Sequence, residues 1–115
     1  MSGGLLFHYT NDRGYKAISS QQTWLFKASK PPCSHPKGAY FTILPPGTRG
    51  LGKRLFVRGC ADKTNFVFCF SGEEGLKPID GGRGEHVFYC KEDYPVEKRR
   101  QGPHGATAKV QEELT

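Results

Sequence analysis

Leu5-Leu6-Phe7-His8-Tyr9-Thr10 runs directly into Asn11-Asp12, and the reading of the fold starts at this junction. Leu5 to Tyr9 is an apolar, aromatic run of strand length, and Asn11-Asp12 offers an N-cap for a helix reaching about Ser20. A strand therefore passes straight into a helix, with a histidine and a tyrosine near the strand's end. In that helix Tyr15, Ile18 and Ala17 share one face, while Gly14 weakens it.

Further along, Trp24 to Phe26 predicts a second brief strand. Ser29 to Lys37, with Pro31, Pro32 and Pro36, can only be a loop. Gly38 to Leu44 resumes strand character through Tyr40, Phe41 and Ile43, and Pro45-Pro46-Gly47 stops it. Gly50 to Arg58 is compatible with a short helix bearing Lys53 and Arg54. Asn65 to Phe70 is almost wholly apolar, which predicts a central strand buried on both faces. Gly72 to Gly75 turns the chain, and Ile79 to Gly84 is a glycine-dense loop. His86 to Cys90 predicts another strand, entered directly from Glu85. Past Tyr94 the reading is a charged tail, residues 95–115, with Lys98-Arg99-Arg100, a Gly/Pro break and a last helix from about Ala106 to Leu114.

A chain of 115 residues fits one domain with one core, here expected over about residues 5–94. Fifteen glycines and eight prolines argue for short elements joined by many turns, whereas eight Phe, five Tyr and one Trp supply the area a core needs. An α+β domain with loops around a cleft fits both facts. The net charge of +6 favours anionic ligands, phosphates or nucleic acid, although a solvated basic surface has the same composition. Cys33, Cys60, Cys69 and Cys90 form no C-x-x-C pair, and Cys69 and Cys90 sit inside apolar runs as small hydrophobes, so no metal is expected. No stretch has the length of a membrane span or the pattern of a signal peptide. The expectation is a soluble monomer of the cytoplasm or nucleus. Met1-Ser2-Gly3-Gly4 also reads as a scar on an excised domain, which leaves a secreted effector open.

Taken singly, His8 reads as a satisfied core histidine, Tyr40 as a packing aromatic and Glu85 as a turn carboxylate. Together they form an ordered set: His8-Tyr9-Thr10, then Gly38-Ala39-Tyr40-Phe41-Thr42, then Gly84-Glu85-His86-Val87-Phe88-Tyr89. This set resembles the three signature strands of the His-Tyr-Glu branch of the ADP-ribosyltransferase superfamily. That branch holds diphtheria-type toxins, poly(ADP-ribose) polymerases and small toxin-like domains with a His-Tyr-Asp/Glu signature. The resemblance covers about Leu5 to Tyr89. L-L-F-H-Y-T is nearest the small toxin-like group, G-A-Y-F-T is the most specific segment, and the glutamate segment is the least specific. Asp80 and Glu73 are alternative acids, and Glu85 is preferred because it opens a strand.

The resemblance implies two small, packed, mostly antiparallel β-sheets with short helices around a cleft for NAD. NAD joins an anionic pyrophosphate to a cationic nicotinamide, whose ring calls for an aromatic platform and whose amide calls for a backbone NH and C=O. Tyr40 is the implied platform and the main chain at Tyr9 the implied amide partner, with His8 on the adenosine ribose and Thr10 beside it. Cleaving the nicotinamide–ribose bond builds positive charge on the sugar, which a carboxylate stabilises, and Glu85 is the residue implied for that role. Two departures stand out. No tyrosine lies between Tyr40 and Tyr89, so Phe56 is the candidate for a second face for nicotinamide, with Leu51 a weaker one. Arg83 stands two residues before Glu85, where the acceptor motif of arginine-directed relatives carries Gln or Glu, so arginine modification is not supported.

The implied activity is transfer of ADP-ribose from NAD to a protein or nucleic acid acceptor. NAD hydrolysis is a second reading of the same site. The RNA 2'-phosphotransferases share the fold, but their arginine-rich pattern is not evident here. A reading of another class is a non-catalytic module whose Lys53, Arg54, Arg58 and Lys98 to Arg100 bind nucleic acid.

Overall fold

A computed structural model of the chain describes residues 5–28, 38–49, 51, 64–72, 75–78 and 87–114. In chain order the elements are β1 (Leu5–Thr10), α1 (Asp12–Ser19), β2 (Trp24–Phe26), β3 (Ala39–Thr42), β4 (Phe66–Ser71), β5 (Lys77–Pro78), β6 (Val87–Cys90), β7 (Tyr94–Val96), a 3-10 turn (Lys98–Arg100), β8 (Gln101–Ala106) and α2 (Thr107–Leu114). Six strands form one sheet in the order β5-β6-β3-β1-β4-β8, and β2 pairs with β7 in a second sheet of two strands. Every pairing is antiparallel. The expected α+β class with two antiparallel sheets and short helices is therefore present.

The strand–helix junction forms as its residues dictate. The Asn11 side chain accepts from the Gly14 amide at 2.9 Å, capping α1. Tyr15 and Ile18 pack on the core, whereas Ala17 is exposed. Glycine at position 14 has a reason beyond helix propensity, because a β-carbon there would collide with the Thr10 hydroxyl.

Alternation along β1 and β4 divides the core into two layers, one on each face of the large sheet. Leu6, Phe68, Phe70, Phe41 and Ala39 meet Trp24, Phe26, Tyr94 and Val96 of the small sheet. On the other face Phe7, Tyr9, Val67 and Cys69 meet Leu51 and Val110. Strand β4 is thus closed on both faces, as its unbroken apolar sequence predicts, and each of its fully buried large side chains contributes roughly 1.5 to 3 kcal/mol. Burial pushes the Cys69 thiol up to about 12, in keeping with a cysteine that acts as a hydrophobe.

The chain beyond Tyr94 is more than the charged tail expected of residues 95–115, and the core does not end near residue 94. Val96 and Val110 are fully buried, and β8 pairs with β4 as an edge strand of the large sheet. Gln101-Gly102-Pro103-His104-Gly105-Ala106 lacks apolar alternation because its role is backbone pairing at an edge. The final helix forms where expected, with Val110 anchoring it and the Thr107 amide donating to the Asn65 carbonyl at 2.9 Å. The proline loop at 29–37, the glycine loop at 79–84 and all but Leu51 of the predicted 50–58 helix lie outside the described residues. Among the described residues no helix is long and apolar enough to cross a membrane.

Candidate functional site

The three segments that carry the resemblance are separated by about 30 and 45 residues in sequence, and their strands are neighbours in the sheet: β1, β3 and β6 lie side by side. Strand β3 pairs with β6 along its whole length, Ala39 opposite Cys90 through Thr42 opposite Val87. Strand β1 pairs with β4 at all six of its positions, yet its register with β3 is a single position, Phe7 opposite Thr42. From His8 onward the β3 side of β1 has no further ladder partner among the described residues.

The His8 ring occupies that point. It packs against Phe26 and Phe41, with ring centroids 4.6 and 5.6 Å away, and its Nδ1 lies 3.1 Å from the Tyr40 carbonyl oxygen. A carbonyl can only accept, so Nδ1 carries the proton and Nε2 is the acceptor of this tautomer. The residue keeps some exposure, but the aromatic enclosure of the ring penalises its charged form. Desolvation lowers the pKa to about 4, outweighing the bond to Tyr40, and the imidazole is neutral at pH 7.

Tyr9 points to the opposite face, where its buried hydroxyl donates to the Leu44 carbonyl at 2.8 Å. Burial raises its pKa, so the phenol stays protonated. Thr10 shares the His8 side of the strand and is half-buried over the start of α1. Gly38, which leads the Tyr40 segment, sits where a β-carbon would lie 2.6 Å from the Cys90 carbonyl oxygen. Only glycine lets β3 approach β6 this closely.

Tyr40 stands between Ala39 and Phe41, both in the layer under the small sheet, so its side chain projects from the other face. There it stacks on Tyr89, its cross-strand partner, with centroids 5.7 Å apart and planes 17° from parallel. The fold thus joins the His8 ring to the Tyr40 main chain and turns the two side chains to opposite faces. Glu85 and Phe56 lie outside the described residues, as do Asp80 and Glu73. Leu51, the weaker candidate for a second nicotinamide face, is buried in the layer with Phe7, Tyr9 and Val110.

Two residues gained significance only in the fold. Tyr89 ends a segment singled out for Glu85, and its alternation with Phe88 and Cys90 does mark the face it shares with Val87. Nothing in the sequence marks Tyr40 as its partner. Arg100, read as part of a basic run, is 7% exposed and holds the end of β4 to β7. Among the described residues no group of three or more His, Cys, Asp or Glu is gathered to hold a metal ion. Compared with protein-family models, curated proteins and solved structures, the chain matches none.

Proposed function

We propose that the chain is an NAD-dependent ADP-ribosyltransferase, moving ADP-ribose to a protein or nucleic acid acceptor and releasing nicotinamide. One observation carries the reading. The three motif-bearing segments are adjacent strands, and the ladder between the histidine strand and the tyrosine strand is limited to one position. The chemistry of the residues along these strands supports NAD as the ligand. A neutral His8 with Nε2 as acceptor suits a ribose hydroxyl, the Tyr40 ring suits a planar nicotinamide, and the net charge of +6 suits the pyrophosphate. In this reading His8 serves the adenosine half and Tyr40 the nicotinamide half, from side chains that project from opposite faces of the sheet.

In the reaction the bond from ribose C1' to the nicotinamide nitrogen breaks, and its electron pair leaves with neutral nicotinamide. The acceptor's lone pair forms the new bond to C1', and the acceptor gives up its proton. Glu85 is the residue assigned, by resemblance, to stabilise the positive charge on the sugar. The test is incubation of the purified chain with NAD labelled in the adenylate half, followed by separation of nicotinamide, free ADP-ribose and labelled macromolecules. Nicotinamide release with label on protein or nucleic acid supports transfer, and label only in free ADP-ribose assigns water as the acceptor. Absence of nicotinamide release with every acceptor offered counts against the proposal.

A further inference from the structure

The half of the large sheet formed by β3, β6 and β5 differs from the half formed by β4 and β8. Helix α2 packs over β8 and β4, and β4 is closed on both faces, whereas every residue of β6 is half-exposed. On the face that carries Tyr40, cross-strand register aligns three side chains in a row: Tyr40 opposite Tyr89, and Tyr89 opposite Lys77. The two rings lie nearly parallel, 17° apart. Beyond them, at the β5–β6 edge, is a depression of about 190 Å³ lined by Gly75, Lys77, Tyr89, Cys90, Lys91 and Glu92. Lys77 and Lys91 are both exposed.

We propose that this row is a binding surface for single-stranded nucleic acid, with a base stacked on the Tyr89–Tyr40 rings and the backbone phosphates on Lys77 and Lys91. Bases and phosphates alternate along a single strand, and half-exposed aromatics flanked by lysines match that alternation. An inorganic anion would use the lysines but not the rings, and Glu92 in the lining opposes it. A duplex keeps its base faces stacked inside, where Tyr89 cannot reach them. An acidic peptide matches the charge but offers few flat faces. The inference goes beyond the proposed NAD chemistry, although Tyr40 is common to both, so its test uses no NAD and reads residues that chemistry does not employ.

The experiment is fluorescence anisotropy of a labelled 15-nucleotide single strand titrated with the whole chain over a range of salt. Binding should weaken as salt rises, and Lys77→Gln with Lys91→Gln together should flatten the logarithmic salt slope by about 1.4, the share of two phosphate contacts on a single strand. Tyr89→Ala should weaken binding roughly 5- to 150-fold, the effect of losing one stacked base, and Tyr89→Phe should retain it. If the alanine variant fails to fold, the lysine pair and the phenylalanine variant still decide the matter. Equal affinity for a duplex, full competition by a polyglutamate peptide, an unchanged salt slope in the lysine variant or no binding at low salt would each overturn the proposal. None of these outcomes depends on whether the chain consumes NAD.

Discussion

Replacing Arg100 by methionine keeps a long unbranched stem and removes the guanidinium, which isolates what the fork contributes. Its Nε donates to the Ser71 carbonyl at 2.9 Å, and its Nη2 donates to the Gly72 carbonyl at 3.1 Å and to the Tyr94 hydroxyl at 2.7 Å. The guanidinium carbon lies 5.5 Å from the Phe70 ring centroid and 5.4 Å from that of Tyr94. Hydrogen bonds from a charged donor contribute about 1.5 to 3 kcal/mol each, so three of them are worth roughly 5 to 9 kcal/mol before the cost of burying the charge. Desolvation of a buried ion removes several kcal/mol of that, which leaves a net loss of about 2 to 4 kcal/mol for Arg100→Met. At about 4 °C per kcal/mol for a domain of this size, Tm should fall by roughly 8 to 16 °C. Arg100→Lys keeps the charge but has no planar fork, and it should recover less than half of the loss. Urea and thermal unfolding of the three proteins provide the assay. A lysine variant as stable as wild type would show that the fork geometry does not matter, and a methionine variant more stable than wild type would show that the buried charge is a net cost.

The other perturbations act nearer the candidate site. His8 has a folded-state pKa of about 4 against about 6.5 unfolded, so the unfolded chain binds more protons between these values and stability falls as pH drops through that window. The loss from pH 7 to pH 5 should be about 1 to 2 kcal/mol, and His8→Asn, which keeps a donor for the Tyr40 carbonyl, should flatten it in urea midpoints measured across pH; an equally steep profile in the variant would remove His8 as the cause. Gly38→Ala should destabilise by about 1 to 3 kcal/mol and disturb the β3–β6 pairing, because its methyl group meets a backbone carbonyl that cannot rotate away. Calorimetry should show that Tyr40→Ala weakens NAD binding by about 0.5 to 1.5 kcal/mol beyond the lost contact area, while Tyr40→Phe retains most of it. Equal losses in the two variants would assign the effect to the hydroxyl instead of the ring.

Short-range signals made part of this fold legible. Asn11 after an aromatic run marks both the end of β1 and the start of α1, and the unbroken Phe66-Val67-Phe68-Cys69-Phe70 marks a strand closed on both faces. Strand β8 escaped because its glycines, proline and histidine give no periodicity, and its partner β4 lies more than 30 residues away. The same limit applies to the site. His8, Tyr40 and Tyr89 stand out by type, but which faces their side chains take depends on register between distant strands. Local alternation says that Tyr40 and Phe41 oppose each other. It does not say that His8 sits with Phe41, or that its ring reaches the Tyr40 carbonyl. Arg100 shows the converse, since Lys98-Arg99-Arg100 looks like a solvated run and only tertiary packing separates its buried third residue from Arg99, which pairs with Glu97 at the surface.

The measurement that bears most directly on the proposed chemistry is nicotinamide release by wild type and Glu85→Gln at saturating NAD, with NAD affinity determined separately. The substitution preserves size and most hydrogen bonding while deleting the charge. If Glu85 acts on the developing sugar cation, it matters more in the transition state than in the bound ground state, so turnover falls while affinity changes little. The expected drop is about 100- to 1000-fold, the usual effect of removing one preorganised electrostatic group. Unchanged turnover in the variant would exclude Glu85 as the catalytic acid and direct attention to Asp80, and a wild-type chain that releases no nicotinamide would contradict the account itself.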